Sequence, residues 1–214
     1  MISAPEALER LREGNHRFAS DVRKCDPLTG QTRRSELAAG QEPLAIILGC
    51  SDSRVPAEIV FDHGLGDLFV IRVAGNIVAP SQVGSVEFAA DRFGTRLVVV
   101  LGHSNCGAIL ATIEELRRPA EERSRNLRSI VDRIRPCVEA LLATELGHQP
   151  DTLVRQAVRA NIQVSANHLC DVLAPLIQDD GLLVVGAEYS LESGVVEFFD
   201  GVPRPTSMTP KGIR

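Results

Sequence analysis

Apolar residues along this chain change period several times, and each change marks an element. Between residues 5 and 20, Leu8, Leu11 and Phe18 recur at steps of three and seven, which places them on one stripe of a helix. The turn-forming Asp26-Pro27-Leu28-Thr29-Gly30 breaks that pattern. Then comes Leu44-Ala45-Ile46-Ile47-Leu48-Gly49, a continuous apolar run ending in glycine. Such a run reads as a strand buried on both faces. Residues 68–73, 97–102 and 182–186 repeat it, and helical stretches at 83–93, 106–116 and 151–173 lie between, the last with Asp151 as its cap.

Strands that alternate with helices are joined by right-handed crossovers into a parallel sheet. The pattern therefore predicts an α/β fold: a central, mostly parallel four-stranded sheet flanked by helices. Residues 195–199 follow the last run after a short polar turn, so they add an antiparallel edge strand. Residues 1–30 form an N-terminal helical arm, and residues 31–214 the main α/β domain. A lone amphipathic helix needs a surface to lie on, either its own domain or a partner subunit.

Sheets of this kind build their sites at the carboxyl ends of the strands. Here those ends read Gly49-Cys50-Ser51-Asp52-Ser53-Arg54 and Gly102-His103-Ser104-Asn105-Cys106-Gly107. His103 and Cys106, three apart at a strand exit, can reach one ion from a single turn, with Cys50 arriving from another strand. Two thiolates and an imidazole make a tetrahedral zinc site with one position to spare, the catalytic rather than the structural arrangement. A helix starting near Cys106 would help hold its sulfur as thiolate. A Cys-His nucleophilic pair uses the same residues and stays open as a rival. Asp52 and Arg54 favour the metal. An arginine fork can hold a carboxylate two residues away in one orientation. There it would accept a hydrogen bond from a metal-bound water instead of taking the fourth position itself.

Composition narrows the class. A formal charge of −5 offers no concentrated basic face for nucleic acid. Arg117, Arg118, Arg123 and Arg125 alternate with Glu114, Glu115, Glu121 and Glu122, which reads as a solvated helical face. There is no apolar run of membrane-spanning length and no secretory leader pattern, so a cytoplasmic protein is expected. In a reducing compartment, the five cysteines are ligands, nucleophiles or core residues before they are disulfides.

The two strand-end motifs together resemble the paired signature of the β-carbonic anhydrases. Similar to that family also are the connecting Gly64-Leu65-Gly66-Asp67-Leu68-Phe69-Val70-Ile71-Arg72, the Ala74-Gly75-Asn76 that follows, and the early Gly14-Asn15-His16-Arg17-Phe18. The likeness runs from the first helix to Glu197. It implies reversible hydration of CO2 to bicarbonate and a proton, with one zinc per subunit held by Cys50, His103 and Cys106. Zinc-bound hydroxide would be oriented by the Asp52–Arg54 dyad. The resemblance further implies a substrate pocket of Gln41, Phe69, Ala74, Phe88 and Gly107. It implies a homodimer, or a homotetramer built as a dimer of dimers, with the N-terminal arm packed on a neighbouring subunit. Phe88 replaces the tyrosine of plant-type members. Arg72 and Tyr189 match two positions of a regulatory bicarbonate site, but Ile47 stands where its tryptophan would be, which with Gln41 points to the plant-type subclass.

Three alternatives keep the same residues: a CS2 or COS hydrolase on the same zinc, a metal-free Cys-His hydrolase, and a non-catalytic zinc module. His16, His63, His148 and His168 are the candidate proton relays.

Overall fold

The structure, a computed structural model, describes residues 2–22, 30–118 and 125–203. Among the described residues, five strands form one sheet: β1 (Ala45–Gly49), β2 (Leu68–Arg72), β3 (Leu97–His103), β4 (Leu183–Tyr189) and β5 (Val196–Asp200). Their order is β2-β1-β3-β4-β5. The first four are mutually parallel and β5 runs antiparallel to β4, as the sequence pattern predicts. From β1 the chain steps to β2 on one side and later to β3 on the other. That reversal falls at the carboxyl ends of β1 and β3, where α/β sheets bind their ligands.

The helices are α1 (Ala4–Ala19), α2 (Gln31–Leu37), α3 (Ala57–Val60), α4 (Pro80–Phe93), α5 (Gly107–Arg117), α6 (Arg128–Leu142), α7 (Pro150–Val172) and α8 (Ala174–Asp180). They cover both faces of the sheet, so every residue of β1 and β3 is buried. The side chains divide by strand alternation. Ile46, Leu48, Val98 and Val100 join the core under α4 to α7, while Ala45, Ile47, Val99 and Leu101 join the core under α1 and α3.

Leu8 and Leu11 of the first helix's apolar stripe find cover within their own chain. Leu8 and Leu11 are buried in the same core as Ile47, Phe61 and Val99. Full burial of such a side chain contributes roughly 1.5–3 kcal/mol by transfer alone. Gly14 lets the Phe61 carbonyl approach so closely that any Cβ there would collide with it. Asn15, also buried, donates to the Val60 and Gly194 carbonyls at 3.1 and 2.9 Å and accepts from the Val196 N–H at 2.8 Å. Arg17 pairs with the buried Asp62 at 2.6 Å. The Gly14-Asn15-His16-Arg17-Phe18 segment is therefore a structural junction.

Two expectations need correction, and one element is added. The cap of α7 is Gln149, with Pro150 at the first helical position and Asp151 in the first turn. A proline already lacks the N–H that the start of a helix leaves unbonded, so it sets the boundary one residue early. The helix α6 was missed, although Val131, Ile134 and Val138 give it a buried stripe. The charged face near the end of α5 is not wholly solvated, because Glu115 is buried against Arg118 at 2.8 Å. Glu121, Glu122 and Arg123 lie outside the described residues.

Candidate metal centre

Three buried donors meet in the crevice. β1 ends at Gly49 and hands over to Cys50, β3 ends on His103 itself, and Cys106 caps the start of α5. Their donor atoms lie within 4.8 Å of one another, with the two sulfurs 4.0 Å apart. The turn between His103 and Cys106 needs Asn105 at φ 54°, a left-handed conformation that asparagine tolerates better than most residues. The β4–β5 hairpin braces this turn: the Glu192 carboxylate accepts from Ser104 Oγ at 2.9 Å and from Asn105 Nδ2 at 3.0 Å.

His103 Nδ1 lies 2.9 Å from the Ser104 carbonyl, an obligate acceptor, so Nδ1 carries the proton and Nε2 a free lone pair. That Nε2 is buried with no hydrogen-bond partner. A buried polar atom is almost always satisfied, so an orphan aimed at two thiols fits a missing cation. Two sulfurs and one imidazole nitrogen suit zinc, with a coordination position left for water. The residues present therefore fit the metal.

Asp52 stands beside the donors, its Oδ2 3.8 Å from His103 Nε2. Arg54 grips it with a two-pronged contact, Nε to Oδ1 at 2.9 Å and Nη2 to Oδ2 at 2.7 Å, and its backbone N–H adds a third bond at 3.0 Å. Arg72, from the end of β2, donates to the carbonyls of Cys50 at 3.2 Å and Asp52 at 2.6 Å. The loop bearing ligand and carboxylate is thus tied to the neighbouring strand.

Electrostatics follow from this packing. The neighbouring Cys106 thiol lowers the Cys50 thiol well below its ordinary value against the burial that opposes its charge, and the Gly75 N–H adds to this. Cys106 is pushed up by Cys50 and by burial, so the two thiols do not both ionise readily without a cation between them. Burial works against a charged His103, but the Cys50 sulfur outweighs it and raises the imidazole. Arg54 holds the Asp52 carboxyl well below the usual carboxylate range.

The expected pocket residues fall into two groups. Ala74 opens the single 3-10 turn Ala74–Asn76, and the N–H of its neighbour Gly75 donates to Cys50 Sγ at 3.3 Å. Gly107 directly follows Cys106 at the start of α5. Gln41, Phe69 and Phe88 lie toward the amino ends of the strands. Gln41 precedes β1 among Arg92, Gly94 and Thr95, and Phe69 pairs in register with Ile46, three positions short of Gly49. Phe88, on α4, is 54% exposed and stacks 6.2 Å from Phe69. Within one chain, these three do not meet the donors. Ile47 is fully buried in β1, and Tyr189 closes β4. His63 lies 3.6 Å from Asp67. Glu192 and Asn161 went unread in the sequence; for Asn161, an amide within a four-residue apolar repeat on α7 was the signal.

Fold and site define an α/β protein with a Cys-His-Cys donor set at a strand-end crevice. Residues 45–196 match a family model described as carbonic anhydrase. A carbonic anhydrase of Mycolicibacterium smegmatis is 38% identical over 195 residues, covering 89% of this chain and 91% of its own. Carbonic anhydrase 2 of Mycobacterium tuberculosis is 38% identical over 192 residues, covering 88% and 89%. Among solved structures, the β-carbonic anhydrase CafA of Aspergillus fumigatus superposes with a TM-score of 0.71 at 26% identity, covering 93% of this chain and 91% of that one. The chain belongs to the carbonic anhydrase family, in its β class, and is a carbonic anhydrase by that membership.

Proposed function

We propose that this protein catalyses the reversible hydration of CO2 to bicarbonate and a proton, with one zinc held by Cys50, His103 and Cys106. The observation that carries the reading is the unpartnered, buried His103 Nε2 facing two thiols, with a carboxylate 3.8 Å away locked by an arginine. Zinc bound there would lower the pKa of a coordinated water from 15.7 to roughly 7 and so supply the nucleophile at neutral pH. Asp52 would accept a hydrogen bond from a water held there and so orient it toward the carbon of CO2. Arg54 holds both carboxylate oxygens and would keep Asp52 from serving as a further ligand to a metal bound by the three donors. Gly107 is the first residue of α5, where a helix leaves its N–H groups unbonded, and its N–H would donate to a substrate oxygen.

Gln41, Phe69 and Phe88 enter this reading through a second copy of the chain. Their place at the opposite ends of the strands means that they line a metal pocket only if a partner supplies them. The exposed Phe88 ring, packed on Phe69 and Phe93, is the apolar surface such a partner would cover. We place the enzyme in a reducing compartment, the cytoplasm, where thiol ligands persist. Among the described residues, no helix is long and apolar enough to cross a membrane.

The test is direct. The purified protein should carry about one zinc per chain and accelerate CO2 hydration in a stopped-flow indicator assay, and chelation should abolish the rate. Zinc-replete protein without hydration activity would sink the proposal. Activity that survives chelation but is lost on thiol alkylation would point instead to the Cys50–His103 pair as a nucleophile and base.

A further inference from the structure

We infer that Asn161 is a positioning residue of the metal centre, its side-chain amide fixing the Gly75 turn that hydrogen-bonds the Cys50 sulfur. α7 buries Leu153, Ala157, Asn161, Ser165 and Leu169 at steps of four, and Asn161 sits in the middle of this stripe. An amide buried among apolar groups is costly unless its hydrogen bonds are made. Asn161 is only 2% exposed, and its Nδ2 donates to the Gly75 carbonyl at 2.8 Å.

Gly75 is the residue that makes this bond consequential. It lies at φ 70°, a conformation that favours glycine, and a Cβ there would meet Ile134 Cδ1 at 2.8 Å and Ala108 Cβ at 3.0 Å. Packing from α5 and α6 holds the turn on one side, and Asn161 holds its carbonyl from α7. In that pose, the Gly75 N–H faces Cys50 Sγ at 3.3 Å. An N–H donor on a ligating sulfur draws charge from it and fixes the direction of its lone pairs. α7 therefore sets how strongly and in which direction Cys50 donates, although Asn161 touches neither metal nor substrate. Groups hydrogen-bonded directly to a metal ligand, as the Gly75 N–H is here, are worth about 10–100-fold in metal affinity or activity.

This inference rests on the metal reading above. The experiment uses the full chain reconstituted with cobalt in place of zinc, comparing wild type with Asn161→Leu, which removes the donor while keeping the branched shape of the side chain. The leucine variant should show its thiolate-to-cobalt charge-transfer band at lower energy, because the sulfur is richer in electrons. It should also release metal to a chelator about tenfold faster, with an unchanged far-UV circular dichroism spectrum. Asn161→Ser, which shortens the donor, carries the same test if the leucine variant does not fold. A wild-type band and release rate overturn the inference, and so does faster release with an unmoved band, since general loosening would do that. Wild-type protein that takes up no metal sinks the metal reading first, so the two failures are distinct.

Discussion

Asp52 is a short side chain with two competing places to go: the cation position beside it, or the guanidinium of Arg54. The fork geometry decides between them, because three hydrogen bonds from Arg54 occupy the oxygens that would otherwise turn toward the donors. Replacing Asp52 with Asn keeps the shape but substitutes an amide donor for one acceptor oxygen. The expected result is a fall in kcat/KM on the order of 10²-fold with zinc content unchanged, read by stopped-flow hydration and metal analysis of one preparation. Loss of zinc in that variant would make Asp52 a ligand instead. Asp52, Arg54 and the three donors were legible in the sequence because their chemistry is local, carried by residues two or three apart at strand exits. Asn161 was not, because nothing near it in the chain reveals that its partner is Gly75. Glu192 is similar, its role set by a turn 87 and 88 residues earlier in the chain.

At the scale of elements, the same distinction between local and distant cause separates what was read from what was missed. The long strands and α7 carry a periodicity that tertiary packing only confirms. α2 and α3 span seven and four residues, too few for a 3.6-residue repeat to show. They matter nonetheless, because the turn before β2 is pinned to α2. Asp67 accepts from the Gly64 N–H at 2.9 Å and from Arg33 of α2 at 2.8 Å. Burial pushes the Asp67 carboxyl up, yet His63, the Gly64 N–H and the Arg33 charge together bring it below its usual value. A depressed carboxylate stabilises the fold above the ordinary range near about 4 and loses that contribution as pH falls through its folded value. Denaturant midpoints of wild type and Asp67→Asn should therefore differ at pH 7 and converge in acid. Parallel curves across that range would show that Asp67 contributes nothing through its charge.

The whole molecule reads as a half-built device. Its donors lie at one end of the sheet, and Gln41, Phe69 and Phe88, which the family resemblance sets in the pocket, lie toward the other. A two-fold pair of chains is the simplest way to bring both sets to each metal. Dilution below the dissociation constant of the pair should lower specific activity while zinc stays bound, followed by analytical ultracentrifugation and assay at matched concentrations. A fully active monomer would remove these three residues from the pocket. The parallel sheet and its antiparallel edge were readable from the chain, but the order of the strands was not. Nor was the seat of α1, because an amphipathic stripe states that a helix needs cover but not whose surface provides it.

Asn15 turns that seat into a constraint on time. Its amide closes three backbone bonds, and two of those partners, Gly194 and Val196, stand 179 and 181 residues further along. During synthesis the first helix emerges early but has no completed dock until the last hairpin leaves the ribosome. Leu8 and Leu11 can settle on Phe61 and Val99 as soon as those segments emerge, but Asn15 closes its last two bonds only when the β4–β5 hairpin arrives.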